Sequence, residues 1–239
     1  MLLSVVLPTY NEVKNIGILI DKIIEVVKHN KIKTEIIVID DNSSDGTIDV
    51  VKGLTKKYRN IKLFIRPKKL GLGSAHFFGY NKSSGDVIIS MDTDLSHDPE
   101  LIPKLLEKIN DGYDIVIGSR HMKGAYYEKP NIIILMKYFF SKFGNCLISF
   151  IMKINIHDFT NGYRALRREM VDNIEIETKD NIFLMEFIVK AVKRGYKVSE
   201  VPVSFFDRKF GSSKLNLCKE AFKFFPCLIK YKRFYPNSK

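Results

Sequence analysis

Short apolar runs alternate with longer amphipathic segments over most of the chain. The runs are rich in β-branched residues, which predicts buried strands at 2–7, 35–39, 61–65, 87–91 and 113–118, with a further strand at 196–205. Between them, apolar residues recur at helical intervals, which predicts helices at 15–29, 47–58, 71–83, 99–110 and 181–194. Repeated βα units of this size predict an α/β fold with a doubly wound, mostly parallel sheet.

Polar side chains follow four of these strands at the point where each strand ends. They are Tyr10 and Glu12, Asp40 and Asp41, Asp92 and Asp94, and Ser119 and Arg120. Ligands of parallel sheets bind beyond the carboxyl ends of the strands, so these side chains are expected to line one edge of the sheet. The pattern predicts a nucleotide and metal site at that edge.

Asp92 and Asp94 stand two residues apart at the end of an apolar run. If the run is a strand, both carboxylates leave the sheet on the same side. Mg²⁺ and Mn²⁺ prefer oxygen ligands, and one or two carboxylates often hold them together with substrate phosphates. The alternative is a solvated turn before a helix that Asp98 caps. The other polar strand ends favour the metal site over the turn.

The second half of the chain has a different pattern. Segment 131–154 alternates apolar blocks with lysines, which predicts one or two amphipathic helices with a break at Gly144. These helices either cap the core or lie among lipid headgroups. Because Lys137, Lys142 and Asn145 interrupt the apolar stretch, no transmembrane helix is expected. Segment 158–164 has the composition of a compact polar turn, and a short helical patch follows it.

The C-terminal part of the chain is strongly basic. From Arg208 onward there are nine Lys or Arg residues against Glu220 alone. The glycine- and serine-containing loop at 207–214 carries Arg208 and Lys214, which suits phosphate binding, although a surface loop is the alternative. Aromatic residues lie between the cations of this tail. This mixture predicts contact with a membrane surface or with a membrane partner.

Composition narrows the class of protein. With 239 residues, the chain fits one large α/β domain or a domain with an appendage. The net charge of +12 indicates an anionic partner, which could be nucleic acid, anionic lipid or a phosphorylated substrate. Three scattered cysteines exclude a disulfide framework or a cysteine zinc site and indicate a reducing compartment. The first residues lack the basic leader of a signal peptide.

Six short motifs occur in an order that resembles the family 2 glycosyltransferases, over residues 4–217. They read Leu-Pro-Thr-Tyr-Asn-Glu at 7–12, Asp-Asp-Asn-Ser-Ser-Asp-Gly-Thr at 40–47, Lys-Leu-Gly-Leu-Gly at 69–73, Met-Asp-Thr-Asp-Leu-Ser-His at 91–97, Gly-Ser-Arg at 118–120, and Asp-Arg with Gly211 and Ser-Lys-Leu at 207–215. Within the family, the resemblance is strongest to members that make dolichyl-phosphate mannose. It implies a GT-A fold and an inverting transfer of mannose from GDP-mannose to dolichyl or another polyprenyl phosphate.

The resemblance also implies roles for individual residues. The guanosine of the donor would contact Pro8, Tyr10, Glu12, Ile39 and Asp41. The sugar phosphate would contact Asp92, Thr93 and Asp94, and Mg²⁺ or Mn²⁺ would be held by Asp92, Asp94 and Ser96. Phosphates of the donor or the acceptor would contact Arg120, Arg208 and Lys214, and Lys142 is a further candidate for the acceptor phosphate.

Asp94 and Arg120 are the predicted catalytic residues. No general base is assigned, because the second pKa of a phosphate monoester is about 6 and the acceptor is already largely dianionic at neutral pH. Two positions depart from the family pattern. Thr93 replaces the alanine of the usual Asp-Ala-Asp, and Lys142 stands where relatives generally have arginine, which keeps the charge but loses bidentate geometry.

The predicted organisation is a catalytic domain at 1–217 that includes interfacial helices at 130–154, followed by a basic aromatic tail at 218–239. The chain lacks the C-terminal transmembrane helices of some relatives, so a peripheral protein on the cytoplasmic face of a membrane is expected. That membrane would be the endoplasmic reticulum in a eukaryote or the plasma membrane in a prokaryote. A small membrane-anchoring subunit is a further expected partner.

The sequence is compatible with three alternative functions. The first is glucose transfer from UDP-glucose to the same acceptor, since base and sugar selectivity depend on contacts that the sequence does not show. The second is a basic nucleic-acid-binding protein, which the charge favours but which lacks any nucleic-acid motif, so no nucleic-acid partner is expected. The third is a non-catalytic nucleotide-binding subunit.

Overall fold

The apolar runs of the sequence form the strands of a central sheet. A computed structural model describes residues 1–128, 132–206 and 217–234. Its strands are β1 (Leu3–Thr9), β2 (Thr34–Asp40), β3 (Ile61–Ile65), β4 (Val87–Ser90), β5 (Ile115–Ser119), β6 (Tyr126–Tyr127), β7 (Arg164–Arg167), β8 (Val198–Pro202) and β9 (Ser204–Phe205). Its helices are α1 (Ile16–His29), α2 (Thr47–Lys57), α3 (Leu72–Lys82), α4 (Ile102–Asn110), α5 (Ile132–Met152), α6 (Arg168–Asp172), α7 (Phe183–Lys193) and α8 (Leu217–Phe234).

Within the described residues, seven strands form the main sheet in the order β3-β2-β1-β4-β7-β5-β8. Every neighbouring pair is parallel except those of β7, which runs antiparallel to both β4 and β5. The predicted doubly wound, mostly parallel sheet is therefore confirmed. The short strands β6 and β9 pair with each other beside it.

Two apolar clusters cover the two faces of the sheet. Leu3, Val5 and Leu7 of β1 belong to the cluster under α1, α2 and α4, and the intervening Val6 belongs to the cluster under α3, α5 and α7. This alternation is the two-residue period of a strand whose side chains are buried on both faces. The continuous apolar runs were readable as strands for the same reason.

The antiparallel strand β7 was not predicted, since residues after 164 were expected to form a helical patch. The sequence Arg-Ala-Leu-Arg gives no strand signal because arginines stand at both of its ends. The guanidinium of Arg164 is nevertheless buried, and it donates hydrogen bonds to the carbonyl oxygens of Phe159, Asn161 and Leu184 at 2.6–2.7 Å. A buried cation is tolerated here because backbone acceptors satisfy its donors.

Helix α5 is continuous over 21 residues, so the predicted break at Gly144 is wrong. A glycine inside a helix costs only about 1 kcal/mol relative to alanine, which the neighbouring turns can offset. By length and composition alone α5 could cross a membrane, contrary to the sequence expectation. Its buried residues are Ile134, Asn145, Ile148 and Met152.

The other differences are small. The predicted helix at 99–110 begins with a 3₁₀ turn, Pro99–Leu101, whose N-cap Asp98 accepts a hydrogen bond from the Glu100 amide. The predicted strand at 196–205 is divided into β8 and β9. The predicted division of the chain at residue 217 stays a prediction.

Glu35 in β2 connects three segments of the fold. Its carboxylate accepts hydrogen bonds from the hydroxyl of Ser4, from the amide and hydroxyl of Ser84, and from the ammonium of Lys62 at 2.7 Å. Burial alone raises the pKa of Glu35, but the hydrogen bonds from Lys62, Ser4 and Ser84 outweigh it and lower the pKa from 4.5 to about 2. The ionised carboxylate is therefore the form that stabilises the fold.

We expect Glu35→Gln to lower the free energy of unfolding at pH 7 by about 1–3 kcal/mol, because it leaves buried donors poorly satisfied. Since the folded pKa lies below the unfolded value, the stabilisation is present above pH 4.5 and is lost as the pH falls towards 2. Urea unfolding between pH 7 and 2 checks this. Exposed Glu25→Gln is the control and should change stability by less than about 0.5 kcal/mol. Equal pH profiles for wild type and Glu35→Gln would contradict the assignment.

Candidate active site

The carboxyl ends of β1, β2, β4 and β5 lie at one edge of the sheet, as the sequence predicts. The loops after β1 and β2 are joined by hydrogen bonds. The Asn11 amide donates to the Ser43 hydroxyl at 2.8 Å, and the Ser44 amide donates to the Asn11 side chain at 3.0 Å. The Glu12 amide donates to the hydroxyl of Thr47 at 2.9 Å. The two loops therefore form a single rigid rim at this edge.

Left-handed backbone conformations occur at three of the strand ends. Asn11 has φ of 57°, Asn42 has φ of 61° and Leu95 has φ of 63°. Asparagine tolerates this region, whereas a leucine there is strained. Strained residues persist where the surrounding structure determines them, and they concentrate at functional sites. Leu95 lies between Asp94 and Ser96, in the turn after β4 that carries Asp92 and Asp94. We call this segment the acidic turn.

The residues predicted to contact guanosine lie together at the ends of β1 and β2. Pro8 and Ile39 are directly paired across the two strands. Tyr10 follows β1, with the Lys69 ammonium 4.8 Å from the centre of its ring. The carboxylate of Glu12 accepts a hydrogen bond from the Asn15 side chain at 2.6 Å. Asp41 follows the same end of β2.

Asp41 is held by a buried arginine that was not singled out in the sequence. Arg66 donates from Nε to Asp41 Oδ1 at 2.5 Å, and the Leu70 amide donates to Oδ2 at 3.3 Å. Arg66 also donates to the Ser74 hydroxyl and to the carbonyl oxygen of Gly71. Glycine is required at 71 because its φ is 100° and a Cβ there would lie 2.3 Å from the Lys179 carbonyl oxygen. A single arginine after β3 carries no sequence signal for this role.

The acidic turn after β4 holds its two carboxylates differently. Asp94 is nearly buried, and its Oδ1 accepts a hydrogen bond from the Ser96 amide at 3.1 Å. The side chain of Asp92 is about one-third exposed, and a Cβ at Gly162 would lie 3.2 Å from its Oδ1. Thr93 points the other way and donates to the Pro8 carbonyl oxygen at 3.2 Å. The turn is therefore fixed to β1, with Asp92 at its open side.

The residues of this turn suit a divalent cation. Asp92 and Asp94 supply carboxylate oxygens, and the buried Ser96 hydroxyl has no hydrogen-bond partner among the described residues. In the part of the chain that the structure describes, no cluster of three or more His, Cys, Asp or Glu residues could hold a metal by itself. Two carboxylates and one hydroxyl match the incomplete protein shell that Mg²⁺ and Mn²⁺ accept when substrate phosphates supply the rest.

The buried ring of His97 lies next to the acidic turn. Its ring packs against Tyr163 and Phe205, with centroids 5.2 and 5.4 Å away, and its Nε2 lies 4.0 Å from Asp92 Oδ2. Burial lowers the pKa of His97 to about 4, although the negative charge of Asp94 opposes the shift. At neutral pH the imidazole is therefore uncharged. It packs against the turn without neutralising the carboxylates.

Arg120 after β5 is held by Asp158 in a buried ion pair. Its Nε and Nη2 donate to the two carboxylate oxygens at 2.8 and 2.9 Å, and its backbone amide donates to Asp158 as well. Nη2 also donates to the Thr160 hydroxyl, and the Phe205 ring lies 5.6 Å from the guanidinium carbon. Burial raises the pKa of Asp158, but Arg120 outweighs this effect and lowers it. Burial lowers the pKa of Arg120, but Asp158 outweighs this effect and raises it.

The loop that carries Asp158 also touches the acidic turn. Gly162 lies against Asp92, and its carbonyl oxygen accepts a hydrogen bond from the Ser90 hydroxyl at 2.8 Å. Tyr80 donates to that same hydroxyl at 3.1 Å. The sequence predicts only a turn for the polar segment 158–164. In the structure it joins the acidic turn to Arg120.

Of the three remaining predicted phosphate ligands, the structure describes only Lys142. Lys142 lies exposed on α5, with its ammonium 5.9 Å from the centre of the Tyr138 ring. Arg208 and Lys214 lie outside the described residues. Their roles stay predictions.

Asp158→Ala should lower the free energy of unfolding by about 3–5 kcal/mol, because it leaves the Arg120 cation, whose side chain is only 13% exposed, unpaired. Chemical denaturation at pH 7 measures the loss. The matched control is Asp111→Ala, which breaks an exposed ion pair to Lys108 with the same 2.8 Å separation. This control should cost less than about 1 kcal/mol. Similar losses for both variants would contradict a structural role for the buried pair.

Comparison with known proteins assigns the chain to a family. The model of "Glycosyl transferase family 2" matches residues 4–175. The chain is 39% identical to "Dolichol-phosphate mannosyltransferase" of Pyrococcus furiosus over 217 residues, which cover 90% of this chain and 60% of that protein. It is 33% identical to "Polyprenol monophosphomannose synthase" of Mycolicibacterium smegmatis over 220 residues, which cover 89% of this chain and 80% of the relative. The chain thus spans only about three-fifths of the Pyrococcus relative.

A solved structure shares the fold. It is the glucosyl-3-phosphoglycerate synthase of Mycobacterium tuberculosis in complex with Mn²⁺, uridine diphosphate and phosphoglyceric acid, with a TM-score of 0.71. The match covers 99% of this chain and 79% of the other, at 17% identity. At this identity the likeness establishes the architecture alone, and it confirms the predicted GT-A fold. With a family model that matches most of the chain, this protein belongs to glycosyl transferase family 2.

Proposed function

We propose that this chain transfers mannose from GDP-mannose to dolichyl or another polyprenyl phosphate, with inversion at the sugar carbon. The observation that carries the proposal is the pair of relatives named for dolichol phosphate or polyprenol, which match about nine-tenths of this chain. The site is consistent with such a reaction. The acidic turn would take the nucleotide sugar, and Arg120, which the loop at 158–162 joins to that turn, would take a phosphate.

The donor would bind along the ends of β1, β2 and β4. Asp41 and Tyr10 would contact guanosine, with Pro8, Glu12 and Ile39 lining the same space. The diphosphate and sugar would lie against Asp92, Thr93 and Asp94. A divalent cation held by Asp92, Asp94 and Ser96 would neutralise the charge that develops on the leaving diphosphate. The Mn²⁺ in the mycobacterial structure of the same fold supports this choice of cofactor, with Mg²⁺ as the alternative.

Arg120 would orient the acceptor phosphate for attack. Among the described residues, its side-chain hydrogen bonds use Nε and Nη2, which leaves Nη1 for a phosphate oxygen. The acceptor needs no general base, because its second pKa is about 6. The main contribution of the protein is therefore orientation and charge stabilisation. Asp94 would act on the donor as a ligand and would not accept a proton.

The exposed face of α5 would meet a membrane surface. Large apolar side chains are more than half exposed along it, namely Ile132, Ile133, Met136, Phe139, Phe140, Phe143 and Phe150. Lys137 and Lys142 lie between them, as in helices that rest among anionic headgroups. This arrangement suits a lipid-linked acceptor. The expected location is the cytoplasmic face of a membrane, with or without a small anchoring subunit.

Mannolipid synthesis tests the activity directly. Purified protein with vesicles that contain dolichyl or undecaprenyl phosphate should form a mannolipid from labelled GDP-mannose, and chelation of the divalent cation should stop it. UDP-glucose in equal amount should not compete. Asp94→Asn should lower the rate by about 100-fold or more, whereas the surface variant Asp111→Asn should not. A glucolipid product, or the absence of any lipid product, would overturn the assignment.

Vesicle binding tests the role of α5. Phe139→Ser with Phe143→Ser should weaken binding to vesicles of anionic phospholipid by about tenfold or more, because each phenylalanine loses apolar burial. The control is Ile65→Ser, which removes an exposed apolar side chain from β3. Cosedimentation measures both. If the two sets of variants bind equally well, α5 does not contact the bilayer.

A further inference from the structure

Asn145 is a polar residue in the buried stripe of α5. Only 1% of its surface is exposed, and the other buried residues of the helix are Ile134, Ile148 and Met152. A buried amide is costly unless both of its ends are hydrogen-bonded. Asn145 therefore marks a place where α5 is attached to the protein body by specific polar contacts rather than by packing alone.

Both ends of the amide are satisfied, chiefly by the loop that carries Asp158. The Asn145 oxygen accepts a hydrogen bond from the Phe159 amide at 2.7 Å. Its nitrogen donates to the Thr160 hydroxyl at 3.2 Å and to the Ser141 carbonyl oxygen, one turn earlier in the helix, at 2.9 Å. The side chain thus spans two consecutive loop residues and its own helix, which fixes the rotation of α5 about its axis.

Asn145 and Arg120 share a partner. The Thr160 hydroxyl that Asn145 contacts also accepts a hydrogen bond from Arg120 Nη2 at 2.9 Å. The carboxylate of Asp158, directly before Phe159, accepts hydrogen bonds from Nε and Nη2 of Arg120. On the other side of the loop, Glu200 accepts hydrogen bonds from the amides of His157 and Asp158. The loop is therefore clamped between β8 and α5, with Arg120 attached to it.

We propose that Asn145 is a positioning residue, which fixes the position of the Arg120 guanidinium relative to helix α5. The inference deepens the proposed function and rests on it, because Arg120 is taken there to meet the acceptor phosphate. The same helix exposes Phe143 and Phe150 on its other face. A lipid phosphate at the membrane surface would then meet a cation whose position is fixed by the helix that contacts that membrane.

The kinetic test separates positioning from a general loss of structure. Asn145→Ala should raise KM for polyprenyl phosphate by about 5- to 10-fold, the scale of one lost hydrogen bond, with KM for GDP-mannose unchanged. Thr160→Val should act in the same way. The double variant should be no worse than the more affected single variant, because both act through one network. Ser149→Ala is the control on α5. Among the described residues, the Ser149 hydroxyl donates its hydrogen bond to the Ile154 carbonyl oxygen and not to the loop at 158–160.

Hydrogen exchange gives a second readout that needs no substrate. In the wild type, the Phe159 amide donates to Asn145 and the Arg120 amide donates to Asp158. Asn145→Ala should speed exchange in peptides that cover 158–160 and 119–121, while Ser149→Ala should leave them unchanged. If wild-type protein made no mannolipid but the exchange changed in this way, the proposed function would fail and the coupling would stand.

Three results would overturn the inference. One is unchanged exchange in both peptides after Asn145→Ala. Another is an equal rise in KM for donor and acceptor, which indicates a general loss of structure. The last is additive effects of Asn145→Ala and Thr160→Val on the acceptor KM, which indicates that the two residues act separately.

Discussion

The site depends on one buried ion pair between chain segments far apart in sequence. Arg120 follows β5, and Asp158 lies in the loop before β7, 38 residues later. A buried pair is weak evidence for net stability, because removing two charges from water offsets most of their attraction. The ion pair instead fixes the geometry of the site. The two-point contact fixes the plane of the guanidinium, and the same loop then reaches Asp92 through Gly162, so opposite charges stand in fixed relation across the site.

The parts of the fold that follow a simple period could be predicted from the sequence. Strands β1, β2, β4 and β5 are largely apolar runs because helices cover both faces of the sheet, and the polar residues that follow them lie at one edge of it. Apolar runs do not predict strand β7. Arg164 is buried because carbonyl oxygens from distant segments receive its donors, and nothing near it in sequence reveals them. The partners of Arg120 and Asp41 were missed for the same reason, since Asp158 and Arg66 lie 38 and 25 residues away.

The apolar residues of helix α5 form two sets, one that packs on the core and one that is exposed. Its apolar residues outnumber those needed to pack against the body, so the sequence allowed a capping helix or an interfacial one. The structure separates the two sets, because a short buried stripe faces the core while most of the phenylalanines face outward. Gly144 was read as a break from local propensity alone. A cost of about 1 kcal/mol is too small to interrupt a helix that is held on both sides of that residue.

The reversed strand β7 has a consequence for the size of the site. It lies between β4 and β5, so the acidic turn and Arg120 leave the sheet two strand spacings apart, roughly 10 Å. Had β4 and β5 been neighbours, the carboxylates and the guanidinium would have been close enough to pair with each other directly. The inserted strand acts as a spacer that keeps the carboxylates of the acidic turn and the guanidinium of Arg120 from neutralising one another.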